Sequence, residues 1–153
     1  MQFSVLAQAF YAPDYSYKDK PDDVTDISDE LYESLKQATA GGCVVFRDNG
    51  KFVISEPRPS QYYEWNSTGN IWEMSAEAKQ QQKDDAAAAA TQKKSVLRSA
   101  ADAEISWRQD AVDEGIATDE ETAALAEWKK YRVLLMRVDV SKAPDIEWPP
   151  QPV

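Results

Sequence analysis

The sequence predicts an α+β protein: a small N-terminal β-rich unit with one helix, followed by a long helix and an antiparallel α-helical hairpin (coiled-coil-like) with an extended C-terminal tail. Short β-branched and aromatic runs separated by turn residues occupy the first half of the chain. Glycine and proline are then absent from residue 75 to residue 114, a composition typical of helix. We expect four segments: residues 1–74 (β-rich domain), 75–95 (Ala/Gln/Lys-rich helical linker), 96–140 (helical hairpin) and 141–153 (extended Pro/Trp tail).

The β-rich segment begins with a strand and a helix. Apolar residues stand at alternate positions at Phe3, Val5 and Ala7, which is the period of a half-buried strand. Residues 14–33 contain eight acids and two lysines and indicate an exposed loop leading into a helix. Ser28 is the predicted N-cap of that helix, because its hydroxyl can accept a hydrogen bond from the first turn. The helix has a narrow apolar face and ends before two glycines: Leu31, Leu35, Ala38, then Gly41 and Gly42.

Two β-hairpins are predicted after this helix. Residues 43–47 and 51–55 are β-branched runs around an Asn-Gly pair, and this pair tolerates the positive φ angles of a tight hairpin turn. Residues 62–65 and 71–73 form a second, aromatic-rich hairpin over a Ser-Thr-Gly-Asn turn.

The first part of the long helix lacks large apolar side chains. Because residues 76–94 have little to bury, helix propensity alone must hold them, and we expect this low-complexity spacer to fray or bend. From residue 97 an apolar stripe at helical spacing indicates packing against another element. Gly115 is placed to end the helix in the left-handed conformation, and Thr118 with Glu121 forms a capping box that begins the next helix.

Helices joined by so few residues must run antiparallel, so their stripes face each other. The predicted packing residues are Leu97, Ala101, Ile105 and Val112 on the first helix, and Ala124, Trp128, Tyr131, Leu135 and Val138 on the second. Residues 129–137 contain four bases and no acid, which either complement the helix dipole or form a surface for an acidic partner. In the tail, Trp148 either packs back on the hairpin or is a ligand for a partner.

Composition excludes several function classes. The chain carries 17 Lys+Arg against 27 Asp+Glu, a formal charge of −10, so we expect neither nucleic acid nor an anionic membrane as a partner. With no histidine and one cysteine, it has no Ser–His–Asp or Cys–His couple, no internal disulfide and no thiolate zinc site. We therefore expect no cofactor and no metal site. The start lacks a basic leader and no run approaches the ~20 apolar residues of a membrane span, so we expect a cytoplasmic protein.

Catalytic motifs are also missing. No glycine-rich phosphate loop occurs, and adjacent acids such as Asp22 and Asp23 are interpreted as solvated charge. We therefore predict a protein that is not an enzyme. The enzymatic alternative is a carboxylate glycosidase, which would need a cleft holding two carboxylates roughly 5–10 Å apart in a small chain.

Three motifs in the C-terminal third carry a family resemblance. They are residues 109–121 (Gln-Asp-Ala-Val-Asp-Glu-Gly-Ile-Ala-Thr-Asp-Glu-Glu), 128–139 (Trp-Lys-Lys-Tyr-Arg-Val-Leu-Leu-Met-Arg-Val-Asp) and 143–149 (Ala-Pro-Asp-Ile-Glu-Trp-Pro). With residues 28–32 and 43–46, they make the chain resemble the bacteriophage tail-fibre assembly protein family. The resemblance implies a non-enzymatic chaperone that binds a trimeric phage tail-fibre protein at its distal tip and promotes its folding and assembly.

The resemblance further implies that the N-terminal β-rich unit engages the fibre. Aromatic side chains bury much area at low entropic cost, so the best anchor candidates are Tyr15, Tyr17, Tyr62, Tyr63 and Trp65; the alternative is that these rings form the domain core. The hairpin would orient the protein or self-associate. The implied location is the bacterial host cytoplasm during assembly, with retention on the fibre tip left open. The rival function is a permanent tip component or adaptor that contacts the host receptor.

Overall fold

The computed structural model describes residues 1–152 and confirms the predicted α+β class. The described chain divides into two compact units, Met1–Lys79 and the residues from Gln80 onward. This division lies inside the segment 75–95.

The first unit contains three small antiparallel sheets and one helix. Its elements are β1 (Gln2–Ser4), β2 (Ala9–Tyr11), β3 (Thr25–Asp26), α1 (Asp29–Ala40), β4 (Val45–Asp48), β5 (Lys51–Ile54), β6 (Glu64–Asn66) and β7 (Ile71–Glu73). The sheets have the strand orders β2-β1-β3, β4-β5 and β6-β7. One buried cluster underlies the unit: Phe3, Ile27, Leu35 and Val45, with Phe10, Leu31, Tyr32 and Phe52 packed around it.

The predicted N-terminal strand is shorter than its apolar alternation indicates. The chain leaves the strand after Ser4 and turns through residues 5–8 into β2, so the expectation of one strand reaching Ala7 is wrong. Gln8 has a φ of 51°, in the left-handed region. The turn occurs because Ser4 Oγ accepts a hydrogen bond from the N–H of Ala7 at 3.0 Å, which folds the backbone back instead of extending it.

The helix cap and the two hairpins predicted in the rest of this unit are confirmed. The Ser28 hydroxyl accepts from the N–H of Leu31 at 3.2 Å and caps α1. β4 and β5 pair around Asn49 and Gly50, which have φ angles of 47° and 80°. In the second hairpin Trp65 and Trp72 are directly opposite.

The remaining described chain is a helical hairpin with a tail. Its elements are α2 (Ala76–Asp113), α3 (Asp119–Met136) and one 3-10 turn (Val140–Lys142). α2 is one continuous helix of 38 residues, so the alanine-rich segment is helical. Ala90 is buried in a stretch of α2 that lines one groove with Pro144, Ile146 and Trp148 of the tail, so this part of the helix is supported by packing as well as by helix propensity.

The turn between the helices follows the sequence signals closely. Gly115 has a φ of 71°, and the N–H of Ile116 donates to the carbonyl of Ala111 at 3.0 Å, the geometry of a Schellman cap. The Thr118 hydroxyl accepts from the N–H of Glu121 at 3.1 Å, and the Glu121 carboxylate accepts from the N–H of Thr118 at 2.9 Å. Both helix ends at this turn are therefore capped.

The hairpin core runs along the facing sides of α2 and α3. Its buried members are Ala101, Ile105, Leu125, Trp128, Tyr131 and Leu135, bordered by Leu97, Val112, Ala124, Val138 and Trp148. All the predicted packing residues lie in this set, while Leu125 is an addition. Trp148 packs back on the hairpin, as the first of the two alternatives predicts. The tail is not fully extended, because Asp139 accepts from the N–H and hydroxyl of Ser141 and caps the 3-10 turn.

Candidate functional site

Three aromatic rings meet on the N-terminal unit. The rings of Trp65 and Trp72 lie edge to face across the β6-β7 hairpin with centroids 5.2 Å apart, and Phe46 of β4 lies 5.6 Å from Trp65. Trp72 Nε1 donates to the carbonyl of Glu56 at 2.8 Å, which satisfies the indole N–H. All three side chains are half-buried, so the cluster is held in place but remains accessible.

A groove of about 490 Å³ lies beside this cluster. It is lined by Val5, Leu6, Gln8, Val44, Val45, Phe46, Arg47, Trp65, Ser67 and Asn70. Leu6 is 80% exposed, and a large apolar side chain held that far in solvent on an ordered turn is a candidate contact residue. The groove therefore combines apolar walls with a few polar groups, as sites of recognition commonly do.

The turn that carries Leu6 is anchored by Asp23. One carboxylate oxygen accepts from Ser4 Oγ at 2.5 Å and the other from the N–H of Leu6 at 2.9 Å. Desolvation, the largest single influence, raises the pKa of Asp23, but the hydrogen bonds from Ser4 and the backbone together outweigh it. The pKa of Asp23 therefore lies below its ordinary value of 3.8.

Gln8 joins the same turn to β4. Its Oε1 accepts from the N–H of Val45 at 2.8 Å, and its Nε2 donates to the carbonyl of Val45 at 2.7 Å. The side-chain amide thus pairs with the backbone of β4 as a neighbouring strand would. The pairing joins the turn between β1 and β2 to β4, and both Gln8 and Val45 line the groove.

The predicted anchors occupy different places. Trp65 lines the groove. Tyr62 and Tyr63 are half-buried in the loop before β6, where Arg58 Nε donates to the carbonyl of Tyr63 at 2.7 Å. Tyr15 and Tyr17 form their own ring cluster with Tyr11, and the Tyr17 hydroxyl accepts from the N–H of Ala12 at 3.0 Å.

Sequence reasoning did not single out the groove residues Leu6, Gln8 and Phe46, nor Trp72, which packs against Trp65 beside the groove. The contact between Trp72 and Trp65 had a signal in the sequence, since a hairpin centred on residues 68–69 places the two residues opposite each other. Leu6 and Gln8 had none, because their positions depend on contacts with Asp23 and Val45 far along the chain.

Residues 1–152 contain no group of three or more metal-ligating side chains placed to hold an ion. Within the same residues no helix combines the length and apolar character needed to cross a bilayer.

A family model described as "Caudovirales tail fibre assembly protein, lambda gpK" matches residues 11–153. Protein TfaD of Escherichia coli K12 is 48% identical over 93 residues, covering 61% of this chain and 47% of the relative. The tail fiber assembly protein of Escherichia phage lambda is 47% identical over 93 residues, covering 61% and 45%. A probable tail fiber assembly protein of Shigella phage SfV is 35% identical over 157 residues, covering 98% and 76%.

The chain thus spans slightly less than half the length of the first two relatives and three quarters of the third. No solved structure matches it significantly.

Proposed function

Since the chain belongs to the Caudovirales tail fibre assembly protein family, we propose that it binds a phage tail-fibre protein and promotes its folding and trimer assembly without catalysis. The groove between Leu6 and Trp65 is the observation that supports this function. It presents apolar and aromatic groups on a rigid turn and a braced hairpin. The names of the relatives point to assembly and to no catalytic reaction.

The folding properties of the tail-fibre protein explain why an assembly protein is needed. Fibrous β-rich trimers form many contacts between distant residues and expose strand edges before assembly, so they fold slowly and aggregate easily. A protein that binds the folding-competent tip shifts the equilibrium toward assembly by mass action. This mechanism requires surface complementarity and no reactive group.

Within the groove we assign distinct tasks to two residues. Trp65 forms a rigid wall because the rings of Phe46 and Trp72 pack against it, and aromatic anchors of this kind often dominate binding energy. Leu6 lines the same groove and is largely exposed, so it loses its solvent contact when an apolar side chain of the fibre enters. The anchor role of Tyr15, Tyr17, Tyr62 and Tyr63 remains part of the proposal as a surrounding aromatic surface.

Co-expression of the cognate fibre with this chain tests the function, with SDS-resistant fibre trimer as the readout. We expect trimer only when the chain is present. Leu6→Ser should reduce the yield severalfold while leaving the fold intact, because the side chain is already in solvent. Val96→Ser, which changes an exposed apolar residue on α2, is the matched control and should leave the yield unchanged.

Trp65→Ala should reduce the trimer yield further and also loosen the ring cluster. Equal yields of soluble trimer with and without the chain would refute the assembly role for that fibre. If Leu6→Ser and Trp65→Ala both give the full trimer yield, the chain still promotes fibre assembly, but the groove is not its fibre-binding site.

A second experiment, on purified phage particles, separates the chaperone from a permanent tip component. A chaperone released into the host cytoplasm is absent from purified particles, whereas a tip component or adaptor is present in a fixed ratio to the fibre. We propose assembly in the cytoplasm, and quantitative mass spectrometry of purified particles measures how much of the chain is retained.

A further inference from the structure

The groove beside Trp65 runs along the edge of a β-strand. Four consecutive residues, 44–47, line it, and none of the β5 residues Lys51–Ile54 does. Side chains on one face of a strand come from alternate residues, so a lining of consecutive residues indicates that the groove follows an edge. β4 has a neighbouring strand on one side only, which is β5. The groove therefore lies along the other, open edge of β4.

The pairing of β4 with β5 decides which backbone groups reach this open edge. In an antiparallel pair, alternate residues direct their N–H and C=O groups toward the partner strand. Val44 faces β5, because its carbonyl accepts from the N–H of Ser55 at 2.9 Å. Phe46 therefore faces β5 as well, whereas Val45 and Arg47 direct their backbone groups to the open edge.

Gln8 already occupies the first of these two edge positions. Its side-chain amide exchanges two hydrogen bonds with the backbone of Val45. At the second position, neither the N–H nor the carbonyl of Arg47 has a hydrogen-bond partner among residues 1–152, and Arg47 is exposed. A free pair of backbone groups on a strand edge is a template for the addition of another strand.

The charge of the groove indicates the chemistry of its occupant. Arg47 is the one charged residue of the lining. Its guanidinium donates to the carbonyl of Gly50 at 3.0 Å and to Oγ1 of Thr25 at 2.7 Å, and both acceptors are neutral. Arg47 forms no ion pair in the part of the chain that the structure describes. An acidic side chain on an added strand would supply the missing opposite charge.

We infer that an extended segment of the fibre adds to the edge of β4 as a further strand, an inference that rests on the proposed function. The segment exchanges hydrogen bonds with the backbone of Arg47, and Gln8 sets its register by occupying Val45. Because successive side chains of a strand alternate between faces, an acid lies on the face of Arg47. The next residue is apolar and lies against Phe46 and Trp65, whose ring centroids are 5.6 Å apart.

A fibre segment fits this edge better than a second copy of the chain. If the β4 edges of two copies paired antiparallel at their free positions, each Arg47 would lie opposite the other, and like charges directly opposite are destabilising. The required segment is short, since the four residues 44–47 span about 13 Å of strand.

Two substitutions at one position separate the backbone contact from the side chain. Arg47→Pro removes the N–H that the added strand uses, and proline is accommodated on an edge strand where the N–H faces outward. Arg47→Ala is the matched control, because it removes the same side chain and keeps the N–H. We expect Arg47→Pro to raise the dissociation constant for the cognate fibre, measured by calorimetry, at least tenfold above that of Arg47→Ala. Arg47→Glu should also bind more weakly than Arg47→Ala, because it places an acid opposite an acid.

Hydrogen exchange of single amides in the wild-type chain tests the same contact without a substitution. Read by fragmentation mass spectrometry, the amide of Arg47 should exchange rapidly in the free chain and at least tenfold more slowly in the complex with the fibre. The amide of Val45, which donates to Gln8, should be protected in both states and is the internal control. Circular dichroism of the three variants excludes misfolding as the cause of lost binding.

Equal affinities of Arg47→Pro and Arg47→Ala, or an Arg47 amide that stays unprotected in the complex, would overturn the added strand. Wild-type affinity in Arg47→Glu would overturn the acidic residue of the segment. The assembly function is measured separately by trimer yield. A wild-type chain that assembles the fibre while Arg47 stays unprotected refutes the edge contact alone, whereas no gain in trimer refutes the function and, with it, the occupant proposed for the edge.

Discussion

The ammonium group of Lys94 on α2 donates to the carbonyl oxygen of Val138, at 2.7 Å, just beyond the end of α3. The same nitrogen donates to the carbonyl of Met136 at 3.0 Å. The last carbonyls of a helix lack partners within the helix and carry its partial negative charge. α3 has no base in its own last turn, and Lys94, 42 residues before Met136, supplies one.

Lys94→Met should therefore destabilise the hairpin while keeping the apolar stem of the side chain. We expect a loss of about 1–2 kcal/mol in the free energy of unfolding, since a charge-assisted hydrogen bond is lost at a half-buried position. Urea denaturation followed by helical circular dichroism measures it. Lys83→Met, at an exposed position of α2, is the control, and equal losses in both variants would contradict the capping role.

Gln8→Glu tests the side-chain pairing with β4. The substitution replaces the Nε2 donor by an oxygen that faces the carbonyl of Val45, so a favourable contact becomes a repulsive one. We expect a loss of about 1–3 kcal/mol, because a buried acceptor is left without its donor. Tryptophan fluorescence during denaturation reports on the N-terminal unit. Gln61→Glu, at an exposed position, should change stability by far less.

The pH dependence of the Leu6 turn follows from Asp23. Its pKa is lowered on folding, so the stabilisation is present above the ordinary value of 3.8 and is lost as the pH falls through the lower folded value. The amide resonance of Leu6 should shift in that acid range in an NMR titration. In Asp23→Asn this acid transition should disappear, and a Leu6 resonance that titrates unchanged in the variant would disprove the link.

Trp148→Ala tests whether the tail supports the alanine-rich part of α2. The ring packs on the hairpin core, and its centroid lies 4.5 Å from Nζ of Lys93. Because Trp148 is half-buried, we expect a loss of about 1.5–2.5 kcal/mol, below the range for a fully buried tryptophan. Hydrogen exchange should accelerate at residues 86–90. Trp107→Ala removes an exposed tryptophan of α2 and should leave exchange at these residues unchanged.

Features set by neighbouring residues were predictable. The Ser28 cap, the Asn49-Gly50 turn and the Thr118 capping box each depend on interactions within four residues. Apolar spacing likewise identified the stripes that face each other in the hairpin, because a 3.6-residue period assigns a side chain to a helix face before any partner is known.

The candidate groove was only partly predictable. Trp65 was named for its ring alone, but its partner Phe46 lies on another hairpin. The side-chain amide of Gln8 crosses 37 residues to Val45, and no periodicity encodes such a pairing.

The amino-acid sequence by itself determined the class of the fold, the caps and turns, and the acidic and basic ends of the hairpin, since these follow from local propensity and composition. Only the tertiary structure decided that the tail lies against the alanine-rich part of α2 and that Leu6 stands at a groove. The physical reason is that burial and backbone pairing between distant residues depend on how the chain returns on itself. Here Trp148 lines a groove with alanines of α2, and the Asp23 carboxylate accepts a hydrogen bond from the N–H of Leu6.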